Sequence, residues 1–110
     1  MKEGGNVMAV VTVATMQVKP DGMEALMERF RKAKTIFESA GGRNVRVLSG
    51  VVAGEATGMV TFLCESDDFA QFGALMDKVS ADPEIAAQTA NTSDSPVPGY
   101  QLTVWVDLPL

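Results

Sequence analysis

Histidine is absent from this chain, and cysteine, tryptophan and tyrosine occur once each. The first absence removes the most chemistry. Histidine is the usual general base near neutral pH and the commonest metal ligand. Without it, Ser-His-Asp and Cys-His nucleophile pairs, histidine-ligated heme and the familiar zinc sites are all excluded. No metal site and no cofactor is expected. With Cys64 the only thiol, no internal disulfide can form, and nothing points to a secreted disulfide scaffold. Basic residues are also sparse: 9 Lys and Arg against 14 Asp and Glu give a formal charge of −5. That balance argues against a broad nucleic-acid surface, because phosphates are neutralised by Lys and Arg. The one basic cluster, Arg29, Arg31, Lys32 and Lys34, is interleaved with Glu28 and apolar positions and reads as a solvated helix face. Long apolar runs are missing as well. The stretch from Val7 to Met16 falls well short of the ~20 residues that span a bilayer. Glu3 and Gly4-Gly5 stand where a secretory leader would be basic, so the run is read as a first strand and a cytoplasmic location is expected.

What is present is ordinary globular material, 46% apolar and 21% charged, in a length that suits one domain spanning residues 1–110. Residues 7–18 (VMAVVTVATMQV) are rich in β-branched side chains and free of Gly and Pro, which predicts a strand. Both alternating sets are fairly apolar: Val7, Ala9, Val11 and Val13 on one side, Met8, Val10, Ala14, Met16 and Val18 on the other. Lys19-Pro20-Asp21-Gly22 stops it. Asp21 with Glu24 fits a capping box. Met23, Leu26, Met27, Phe30, Ala33 and Phe37 then line one helix face, and Gly41-Gly42 ends that helix. Residues 43–53 alternate again. A turn over residues 54–58 leads to a strand at residues 59–65, which makes an antiparallel hairpin, and Gly50 suggests a bulge or a close approach of another backbone. Ser66-Asp67-Asp68 opens a second helix with a capping hydroxyl and a stripe of Phe69, Phe72, Met76 and Val79, with Leu75 beside it. Asp82 is suited to cap a short third helix over residues 83–90. Residues 91–99 form a polar loop, and residues 100–108 a final strand.

The order β-α-β-β-α-β with amphipathic helices predicts an α+β, ferredoxin-like domain, with a four-stranded antiparallel sheet and two helices on one face. A first strand that is apolar on both sides leaves an apolar sheet face uncovered, which marks an interaction surface. Two copies pairing their sheets would bury it, so a homodimer is expected.

These features, the Lys-Pro-Asp-Gly turn before MEALMERF and the phenylalanine-led segment DDFAQFGALM among them, resemble the dimeric α+β barrel superfamily, which includes antibiotic-biosynthesis monooxygenases and the NIPSNAP proteins. The resemblance implies two ferredoxin-like subunits packed through their sheets, with a small-molecule ligand between each sheet and its helices. It also suggests a comparison with cofactor-independent monooxygenases, whose pockets are polar and aromatic. The comparable residues here are Arg46, Tyr100, Trp105, Asn44 and Gln17. Each has a plainer role available: Trp105 as core or dimer-interface aromatic, Tyr100 packing its ring at a strand start, Arg46 pairing with Glu65 across the hairpin. Cys64, within an apolar strand, reads as a buried thiol. Three functions stay open: a small-molecule-binding dimer, a cofactor-independent monooxygenase or isomerase acting on a small aromatic or acidic metabolite, and a non-catalytic interaction or regulatory module.

Overall fold

The computed structural model describes residues 9–89 and 100–108. Val7 and Met8 of the expected first strand, the 91–99 loop and Ala90 at the end of the third helix lie outside the described residues. Four strands, β1 (Val10–Met16), β2 (Arg43–Ser49), β3 (Val60–Ser66) and β4 (Tyr100–Val106), form one antiparallel sheet in the order β2-β3-β1-β4. Helices α1 (Met23–Ser39), α2 (Phe69–Ser80) and α3 (Pro83–Thr89) complete the α+β, ferredoxin-like arrangement that the sequence pattern predicts.

β1 shows why two-residue periodicity sets the layers. Val10, Thr12 and Met16 are buried and Ala14 packs against the same core, while Val11, Val13 and Thr15 on the other face are only partly covered. Leu26, Phe30 and Ala33 of α1 and Leu75 and Val79 of α2 meet Met16, Val45, Val60, Phe62 and Cys64 to form that core. The α2 stripe is rotated from the expected one. Leu75 and Val79 are its buried residues, whereas Phe69 is 59% exposed and packs edge-on against Phe72.

The helix ends are where sequence and structure differ most. Asp21 adopts φ +65°, outside the extended conformation from which a side chain caps a helix, and Gly22 takes the N-cap position with no side-chain bond. The expected Asp21–Glu24 box is therefore not made. Instead Lys19-Pro20-Asp21-Gly22 closes as a turn, Gly22 N–H donating to Lys19 O at 2.9 Å. At α2 the cap is the Asp68 carboxylate, which accepts from Gln71 N–H at 2.8 Å while Gln71 Oε1 accepts from Asp67 N–H. The Ser66 hydroxyl expected there is buried at the end of β3 with no partner among the described residues. Asp82 caps α3 as expected, accepting from Glu84 N–H at 2.8 Å. The far end of α1 follows the glycine reading: Gly41 sits at φ +105°, and Gly42 and Gly41 N–H return to Phe37 O and Glu38 O at 2.8 and 3.1 Å.

β2 ends at Ser49, four residues sooner than expected, because Val51 and Val52 turn out into a loop where they are 78% and 94% exposed. Gly50 is not a bulge. Its N–H donates to Met59 O at 2.9 Å and its carbonyl accepts from Gly58 N–H at 2.7 Å, which continues the ladder into the turn. The bulge lies between Arg43 and Arg46, with Asn44 at φ +53°. Asparagine tolerates that left-handed conformation better than most residues.

Candidate functional site

The sheet presents two faces with different chemistry. On the helix side, β1 and β3 supply a floor of Thr12, Ala14, Met16 and Phe62, and α1 supplies a wall of Leu26, Phe30, Ala33 and Phe37. Met76 and Val79 of α2, Ile85 of α3 and Leu102 of β4 complete the lining, which stays partly open to solvent, with Arg29 the one charged residue in it among the described residues. Between them lies a cavity of about 190 Å³. It is left open by the small side chains Ala14 and Ala33 in its lining. Three phenylalanines shape one wall. The Phe62 ring stacks on Phe30 with centroids 5.5 Å apart and meets Phe37 edge-on at 5.1 Å.

Thr12 is the exception in this lining. It is 5% exposed, and its Oγ1 has no hydrogen-bond partner among the described residues. A buried hydroxyl left unpaired costs about 1–3 kcal/mol. The oxygen itself has almost no accessible surface and does not face the open space of the cavity. The position stands out in the sequence: within the set Val10, Ala14, Met16 and Val18, Thr12 is the lone hydroxyl on the apolar face.

The opposite face holds most of the residues singled out from sequence. Cross-strand register sets Arg46, Leu63, Val13 and Thr103 in one row, Leu48, Thr61, Thr15 and Gln101 in the next, and Glu65, Val11 and Trp105 on the other side. The face is thus mixed, with Val11, Val13, Leu63, Leu48 and Trp105 apolar among threonines and an ion pair. Asn44 and Arg46 are brought together on Glu65. Asn44 Nδ2 donates to Glu65 Oε2 at 2.8 Å, and Arg46 Nη1 lies 3.3 Å from the same oxygen, the pairing that alternation suggested. Trp105 is 61% exposed, its Nε1 donating to Thr103 Oγ1 at 2.8 Å. Gln17 is exposed just beyond β1, and Tyr100 stands opposite Met16 in the β4 register. Arg46, Asn44, Trp105 and Gln17 are not among the cavity-lining residues.

Cys64 is fully buried beside the Gly42 backbone, and burial pushes its thiol up to about 11, against a smaller lowering by a backbone hydrogen bond from Arg43. Such a thiol is a poor nucleophile at neutral pH. Among the described residues no group of three or more Cys, Asp or Glu side chains could hold a metal ion, and no helix is long and apolar enough to cross a membrane.

This strand order and helix placement define a ferredoxin-like α+β fold of the kind found in NIPSNAP-like proteins. Solved structures cover nearly the whole chain at low sequence identity. A conserved protein from Methanosarcina mazei is 17% identical, with a TM-score of 0.70 over 94% of this chain and 97% of its own. A NIPSNAP-like domain protein from Burkholderia xenovorans is 16% identical, with a TM-score of 0.67 over 93% of this chain and 85% of its own. The heme-degrader MhuD from Mycobacterium tuberculosis, solved with two hemes bound in its active site, is 20% identical, with a TM-score of 0.62 over 92% of this chain and 96% of its own. No family model and no curated protein matches the chain by sequence.

Proposed function

We propose that this protein binds a small molecule in the cavity between its sheet and helices, and that it works as a homodimer joined through the open sheet face. The observation that carries the first part is an apolar-lined cavity of about 190 Å³ between the sheet and the helices. The solved structures lend support of a coarser kind, since one protein of this fold holds its hemes in an active site. This chain has no histidine, so a histidine-ligated heme is not its guest.

The dimer is supported by Val11, Val13, Leu48 and Trp105, an apolar group on a sheet face that the helices do not cover. In this reading Arg46, Asn44 and Trp105 serve the interface, and Gln17 lies at its edge. The lone cysteine and the acidic balance suit a cytoplasmic protein.

Xenon under pressure tests the cavity directly. The expected result is a set of NMR shifts confined to residues such as Ala14, Ala33, Phe30 and Phe62, abolished by filling the space with Ala33→Phe. Shifts scattered over the surface, or none, would remove the binding reading.

A further inference from the structure

Arg29 stands in the α1 stripe that walls the cavity, three residues after Leu26 and four before Ala33. Leu26, Phe30 and Ala33 are buried, whereas Arg29 is only partly so. Leu102, also in the lining, is 48% exposed. The cavity thus reaches solvent past side chains such as Arg29 and Leu102, while buried apolar groups such as Phe62, Ala33 and Val79 line its interior. An arginine so placed lends its aliphatic stem to the wall and keeps its charge in contact with water. Acidic side chains close to it in the chain are engaged by other cations. Glu28 lies 3.0 Å from Arg31, and Glu84, beside Ile85 of the lining, lies 3.9 Å from Lys32. Arg29 has an interaction of its own within the chain. Its guanidinium carries five N–H donors in a fork, so a guest adds to that contact and need not replace it.

One cation at the boundary between water and an apolar interior sorts guests by charge. A cationic guest meets repulsion from Arg29. A molecule charged at both ends would have to leave one charge among apolar side chains, where nothing compensates its lost hydration. A monoanion with an apolar body avoids both costs. Its body covers the apolar walls, and its head stays in water and gains a charge-assisted hydrogen bond. Carboxylate is the head that the planar guanidinium fork matches. At about 190 Å³ the space is below the roughly 300–1,000 Å³ of drug-sized sites, so the body is short. Resting on the reading that the cavity binds a small molecule, we propose that its guest is a small monocarboxylate, apolar body inside and carboxylate on the Arg29 guanidinium.

Hexanoate, hexan-1-ol and hexylammonium share one body and differ only in the head group, which makes them the probes. They are titrated by ligand-observed NMR at constant ionic strength into the full chain and its Arg29→Gln and Arg29→Lys variants. Arg29→Gln is expected to raise the hexanoate Kd about tenfold and to leave the hexan-1-ol Kd within about twofold. Arg29→Lys should restore most of the hexanoate affinity. From butanoate to hexanoate the Kd of the parent should fall roughly fourfold per methylene, as it does when each is buried. Intermolecular contacts in the parent should join the hexanoate methyl to the Phe62 ring, a readout that needs no variant to fold. Hexan-1-ol binding with hexanoate no weaker in Arg29→Gln than in the parent would overturn the carboxylate assignment and leave the binding reading standing. Hexylammonium binding more tightly than hexanoate would overturn it as well. Hexanoate binding that ignores chain length would place the carboxylate outside the cavity and overturn the proposal. Failure of all three probes to bind would remove the binding reading together with the proposal.

Discussion

Gly42 lies directly over the Cys64 thiol: a Cβ built at position 42 would collide with Cys64 Sγ and come within 2.9 Å of Phe37 O. Here the chain leaving α1 crosses β3 so closely that only hydrogen fits. Gly42→Ala is expected to cost about 1–3 kcal/mol in denaturant unfolding, the usual range for overpacking. Adding Cys64→Ala should recover part of that loss, because it removes one obstacle and leaves the Phe37 carbonyl. Additive losses in the double variant would show that the thiol is not the obstruction.

Cys64 also gives the protein a pH dependence of definite sign. Its pKa rises from 9.0 to about 11 on folding, so above pH 9 the unfolded chain releases a proton that the folded chain keeps. Stability should therefore be undiminished by this group below pH 9 and fall by up to ~3 kcal/mol as pH rises through 11. Urea titrations of the parent and Cys64→Ala across pH 8 to 11 check it. The parent should lose stability faster.

Thr12→Val should stabilise the unliganded protein by about 1 kcal/mol, because it replaces an unpaired buried hydroxyl with a methyl group of the same shape. Thermal unfolding without added ligand is the measurement. A loss of stability would mean that the hydroxyl has a partner in solution.

Helix capping offers a paired comparison. Asp68→Ala should cost about 1 kcal/mol through loss of its bond to Gln71 N–H. Asp21→Gly should be neutral or stabilising, since Asp21 caps nothing and holds φ +65°, a conformation glycine adopts freely. Chemical denaturation of the two variants separates the sites.

These two aspartates show how far the sequence could be read. Element order, the apolar stripe of α1, the glycine stop after it and the Asp82 cap were all legible, because each follows from local spacing or local chemistry. Asp21 and Glu24 had the right spacing for a cap as well. What the spacing could not reveal was that Pro20 and Asp21 turn the chain so that Gly22 reaches the cap position first. Gly50 likewise looked like a bulge, yet Asn44 carries it, since asparagine also tolerates a left-handed backbone. The candidate site was less legible still. Polar and aromatic residues drew notice to Arg46, Asn44 and Trp105, all outside the cavity lining, whereas the cavity arises from small side chains such as Ala14 and Ala33. Empty volume is a property of packing between elements distant in sequence.

The sheet-face dimer predicts a concentration-dependent signal from the single tryptophan. Trp105, 61% exposed in one chain, should show emission that shifts to shorter wavelength as concentration rises through the dimer Kd. Trp105→Glu should sediment as a monomer with unchanged far-ultraviolet circular dichroism. A clean monomer for the parent at micromolar concentration would refute the dimer.

The placement of β1 has a consequence for how the molecule comes to be folded. Val10 is paired with Ser66 on one side and with Val106 on the other, so β1 waits for residues 100–106 before its hydrogen bonds are complete. Closing such distant contacts makes folding slow relative to a helical bundle of similar length. Until residues 100–106 leave the ribosome, β1 carries an open apolar edge. That interval during synthesis, rather than the finished protein, is when the chain is most exposed to aggregation.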